Sequence, residues 1–166
     1  MPAARETSGQ DLDALARSII DANSYLVLGT ADSAGRPWTS PVYFSPASYR
    51  EFYWVSDPDT RHSRNLDERP EVSIVVFDSR VPLGQGQAVY MIAEAAQVAD
   101  DDHLERDMEV FSAGAVARGG DAWPVERVRP PAELRLYRAV ASEQWVLDPG
   151  ARTDSRTPVT PDRSPD

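Results

Sequence analysis

The chain has 166 residues and 41% hydrophobic content, enough for one domain with one core. Its net charge of -10 argues against general nucleic-acid binding, which draws on cations facing phosphate. There is no cysteine, which excludes disulfides, thiolate metal sites and a cysteine nucleophile, and all 17 basic residues are arginine, which excludes lysine chemistry.

In chain order, Met1 to Gln10 is polar and carries no apolar signal core, and no run reaches the ~20 apolar residues of a membrane span. A cytoplasmic protein is the expectation. Leu12, Leu15, Ala16, Ile19 and Ile20 form one apolar stripe, so a helix is predicted over 11–22, with Ser8, Asp11 and Asp13 near its start. Residues 25–30 and 37–44 read as a hairpin around the Asp32–Gly35 turn. A second turn is expected over 45–49 and a third strand over 51–56. After the break at 57–60 comes a short helix over 61–67, then a buried strand over 71–77.

Residues 80–86 form a loop and 87–98 a long strand. Residues 100–111 read as a helix with an acidic first turn. Gly119-Gly120 and Pro130-Pro131 mark irregular backbone in the 112–131 segment, which is either a lid with Trp123 facing substrate or a surface excursion. Two closing strands are expected over 133–140 and 143–147. One domain over 1–147 is thus predicted, followed by a disordered tail over 148–166, whose proline-rich polar composition offers little apolar surface. Hairpins without a βαβ rhythm predict a closed or partly closed antiparallel barrel.

No hydrolase elbow, Walker loop or metalloprotease motif is present, and Gly84-Gln-Gly86 lacks the rest of a dinucleotide fingerprint. His62 and His103 are far apart in different predicted elements, and no metal site is expected. The informative stretch runs from Ser56 to Leu66. A strand ends, the chain turns, and a helix opens with Thr60, Arg61, His62, Ser63 and Arg64. Free N–H groups, a guanidinium and hydroxyls at one helix start make a phosphomonoester cradle. The same residues also read as a capped surface helix with solvated arginines.

The series Leu28-Gly-Thr30, Gly35-Arg-Pro37, Ser40-Pro-Val-Tyr-Phe44, Phe52-Tyr-Trp-Val-Ser56, Thr60-Arg-His-Ser-Arg-Asn-Leu66 and Arg69-Pro-Glu-Val-Ser-Ile74 resembles the pyridoxamine 5'-phosphate oxidase-like family of flavin and deazaflavin split-barrel proteins. The resemblance is good over 25–98, looser over 133–147 and absent in the tail. It implies a mainly β, six-stranded antiparallel split barrel of the FMN-binding type with peripheral helices. It also implies a homodimer with two cofactor sites at the interface.

By resemblance, Thr39, Ser40, Pro41 and Val42 lie along the flavin ring, and Val55 and Ser56 contact ring or ribityl. Thr60 and Arg61 hold the phosphate with His62, which stands where lysine is usual and implies weaker or pH-dependent phosphate binding. Gln87 and Trp145 reach the flavin, Trp145 from the partner; Trp145 reads equally as a dimer-core aromatic. The closing segment 133–145 lacks the Arg-x-His substrate motif, so vitamin B6 oxidation is not expected.

The expected function is an FMN-dependent oxidoreductase acting on a small molecule, with no catalytic side chain assigned. An F420-dependent reductase on the same fold is the alternative, with Arg36, Arg50, Arg61 and Arg64 as its basic groove. A non-catalytic dimer that binds flavin or haem is the third reading.

Overall fold

The computed structural model describes residues 9–99, 101–149 and 155–162. Helix α1 (Gly9–Ala22) precedes strands β1 (Tyr25–Ala31), β2 (Pro37–Tyr43), β3 (Ser45–Ala47) and β4 (Glu51–Ser56). Helix α2 (Arg61–Glu68), strands β5 (Glu71–Phe77) and β6 (Ala88–Gln97), helix α3 (Asp101–Ala117), a 3-10 turn (Val125–Arg127) and strands β7 (Arg135–Leu147) and β8 (Arg156–Pro158) follow. The strands form one antiparallel sheet in the order β2-β1-β5-β6-β7-β4-β3, with β8 on β7. Curled into a half-barrel, this sheet is the split barrel anticipated, with eight strands instead of six. Ser8, at the expected start of the first helix, lies outside the described residues.

Alternation along each strand separates two faces. Leu26, Leu28, Ile74, Val76, Val89, Met91, Trp54 and Tyr137 point inward into the main core. The apolar stripe of α1 joins them, with Leu12, Ala16 and Ile20 buried. A second, smaller core lies outside the barrel. There α3 lays Leu104, Met108 and Phe111 over Tyr53 of β4 and Leu136 of β7.

Four expectations are corrected. The turn placed at 45–49 begins with strand β3, because the chain reverses three residues later, at Ser48 and Tyr49 with φ of 49° and 54°. Helix α3 continues to Ala117 instead of ending at 111. Its Gly114 serves a close crossing over β3, where an added Cβ would lie 2.3 Å from Ser45 Oγ. The two closing strands are one strand, β7, interrupted at a bulge where Ile92 faces Glu143 and Ala93 faces Ala141, leaving Ser142 extra.

Disorder does not hold for 155–162. Beyond the end of β4, β7 has an open edge, which β8 fills, and Val159 is buried. Backbone bonds from Val159 to Gln144 and from Thr160 to Asp13 Oδ1 hold this segment against β7 and α1. Such pairing depends on a distant edge and leaves no trace in local composition. The rest of the expected tail, 150–154 and 163–166, lies outside the described residues.

Candidate functional site

Four of the sequence-derived residues meet around one imidazole. His62, on the first turn of α2, is only 8% exposed. Its Nδ1 lies 3.1 Å from Ser40 Oγ, and its Nε2 lies 2.8 Å from Ser56 Oγ and 3.2 Å from Thr60 Oγ1. Trp38 Nε1, which can only donate, bonds Ser40 Oγ at 3.1 Å. Ser40 Oγ, with two acceptor lone pairs besides its own hydrogen, can then either donate to Nδ1 or accept from it, and hydroxyls serve both ring nitrogens. Burial lowers the His62 pKa below its ordinary value.

Arg61 stands differently. It is exposed, and its guanidinium lies over the Trp38 ring, 4.7 Å from the centroid. Among the described residues it has no carboxylate within ion-pair distance. Arg36, Arg50 and Arg64 are paired with Asp32, Asp162 and Asp59 respectively. Of the arginines proposed for a basic groove, Arg61 alone is left for an anion. Thr30 and Asn65, which the sequence reading passed over, brace the cluster: Asn65 Nδ2 donates to Thr30 Oγ1 at 2.9 Å in a buried bond between α2 and β1.

A second group lies on the outer face. Register places Pro41, Val27, Val75, Tyr90, Trp145 and Pro158 side by side, crossing β2, β1, β5, β6, β7 and β8 in one row. A parallel row runs Thr39, Gly29, Ser73, Ile92 and Glu143. Thr39, Pro41 and Trp145 thus share a face, and Trp145 lies about 19 Å across the sheet from Pro41, at four strand spacings. Val55 faces outward as well, under α3, whereas the Val42 side chain is buried in the core, so only its backbone on the sheet edge is open to a ligand. Gln87 precedes β6, away from His62, and its Oε1 is buried without a partner among the described residues.

The model for the pyridoxamine 5'-phosphate oxidase family matches residues 12–145. The chain belongs to that family. This match covers all the elements that carry the polar cluster and both outer rows up to Trp145. Solved structures similar to this family member are distant in sequence and share the fold. A candidate 5-nitroimidazole antibiotic resistance protein from Bacteroides thetaiotaomicron is 14% identical, with TM-score 0.66 over 80% of this chain and 81% of that one. A heme binding protein from Mycobacterium smegmatis is 16% identical, with TM-score 0.69 over 97% of this chain and 59% of that one. HutZ, a heme storage protein from Vibrio cholerae, is 22% identical, with TM-score 0.58 over 79% of this chain and 90% of that one. No curated protein matches the sequence. Among the described residues of this oxidase-family chain, no helix is long and apolar enough to cross a membrane.

Proposed function

We propose that the protein binds FMN at two sites in a homodimer and acts as a flavin-dependent oxidoreductase on a small molecule. The observation that carries this is Arg61, a cation without a carboxylate partner at the opening of α2, parked on Trp38 beside the free edge of β2. That setting fits a phosphate monoester. Arg61 would bind it in bidentate fashion, with the first-turn N–H groups of α2 and Thr60 adding donors. Bound flavin would supply hydride or electron transfer.

His62 has a different part from the lysine it replaces. Held neutral and bonded at both nitrogens, it positions Ser40 and Ser56 and adds no fixed charge. Phosphate affinity therefore rests on one cation. Thr39, Pro41 and Val55 would meet the ring from the outer face, with the edge backbone of β2. The unsatisfied Gln87 Oε1 is an acceptor for a ring N–H. Two such faces packed about a two-fold axis would bring each Trp145 toward the partner's β2.

The deciding experiment is an absorbance spectrum of the purified protein from a host that makes FMN, F420 and haem. Two flavin bands, with FMN released on denaturation, are expected. Arg61→Gln should weaken FMN binding about ten- to a hundredfold, the range for a lost charge-assisted contact. A colourless protein that takes up no added FMN overturns the proposal. A non-catalytic haem-binding dimer is the second reading, favoured by the two haem-associated structural neighbours. A Soret band in place of flavin bands would move it to first place, and a single deazaflavin band would do so for F420.

A further inference from the structure

Beyond the β2 edge lies a chamber of about 430 Å³, within the usual size range of small-molecule sites. Its walls are aromatic and come from three parts of the chain. Tyr25 meets Tyr43 edge to face, with centroids 5.6 Å apart and planes at 88°. Tyr43 meets Phe111 at 6.3 Å and 82°, and Phe111 meets Trp123 at 5.7 Å and 89°. Val55 also lines the chamber. These perpendicular contacts hold each ring by its neighbour, and the Arg127 guanidinium covers one face of Trp123, 3.7 Å from its centroid.

One cation lines the same chamber. Arg118 follows α3, half-buried, its guanidinium 5.2 Å from the centroid of the Phe44 ring. Its Nε is buried without a partner, and among the described residues the guanidinium's one hydrogen bond is a long one, 3.5 Å, from Nη1 to the Gly114 carbonyl. Among the described residues no carboxylate lies within ion-pair distance of it, although the chain carries a net charge of -10. Asp121 lines the chamber too, exposed and unpaired with Arg118. A half-buried guanidinium lacking a counter-charge is poised for a carboxylate that arrives with its own apolar body.

The geometry points to this chamber as the binding site of a planar aromatic acid, its ring system against Tyr25, Tyr43 and Trp123 and its carboxylate on Arg118. As an assignment of substrate class it rests on the flavin reading above, because Tyr43 and Val55 adjoin Pro41 and Ser56. As a binding site it stands without flavin.

Calorimetric titration of the full-length protein with 2-naphthoate and with neutral 2-naphthamide tests it, the flavin content being read separately by absorbance. The acid should bind about tenfold or more tighter than the amide, as expected for a charge-assisted bidentate contact. Arg118→Gln should erase that preference while leaving amide affinity within about threefold, and Trp123→Ala should weaken both ligands. Equal affinity for acid and amide in the unaltered protein overturns the inference, whether or not either variant folds. So does a preference that survives Arg118→Gln. A colourless protein that keeps the preference removes the flavin reading and leaves the chamber, and a flavin-loaded protein without it does the reverse.

Discussion

His62 is the residue with the most partners in the cluster, and its neutrality makes a measurable claim. The ordinary imidazole pKa is 6.5, and burial in the folded chain lowers it. Above that value the ring is neutral in both folded and unfolded chains, and its hydrogen bonds contribute fully. As pH falls through 6.5, the unfolded chain gains a proton that the folded ring still refuses, so stability is lost on acidification. Thermal midpoints should therefore fall more between pH 7.5 and 5.5 for the unaltered protein than for His62→Gln, which cannot titrate. Equal slopes would place the proton-sensitive group elsewhere.

At the level of elements, α3 forms one wall of the aromatic chamber, and its placement depends on one crossing. Ser45 Oγ donates to the Phe111 carbonyl at 2.9 Å, and Gly114 leaves room for Ser45 beneath the helix. Gly114→Ala puts a methyl group 2.3 Å from Ser45 Oγ and 2.6 Å from its Cβ. Overpacking of this kind costs about 1–3 kcal/mol, more than the ~1 kcal/mol of helix propensity that alanine adds. Chemical denaturation should show a net loss, and Ser45→Gly in the same chain should recover part of it; additive losses would mean that the two residues do not share this space. The same residues mark where sequence was legible. Strands β1, β2, β4, β5 and β6 follow from apolar, aromatic or β-branched runs set off by turn residues, and the meeting of Ser56, Thr60 and His62 from a strand end next to a helix start. Gly114 reads locally as a breaker, and Ser142 as a gap between strands. Only the packed chain shows that the one is a crossing and the other a bulge. The chamber was equally hidden, because Tyr25, Phe111 and Trp123 are far apart in sequence and each has a packing role of its own.

At the level of the whole molecule, α3 covers the outer face of β3 and β4, while among the described residues no helix lies over the outer face of β2, β1, β5 and β6. Two features make that face suitable for a second copy. Its side chains form continuous rows across the sheet, and they include Ile92, Phe77 and Tyr25, all left exposed by the single chain. At Gly29 the absence of a side chain keeps the second row flat beside Ser73. A stable dimer buries about 800 Å² on each partner, which these rows can supply only if they pack face to face. Ile92 is 47% exposed and near the middle of the face, so a buried charge there would have no partner. Ile92→Asp should convert a sedimenting species of about twice the 18.3 kDa chain mass into monomer, and flavin bound between the subunits should be lost with it. The pairing of these two losses is the informative result. A monomeric variant that retained FMN would confine the site to one chain and remove Trp145 from it. An unaltered protein that sediments as a monomer with flavin bound would remove the interface altogether.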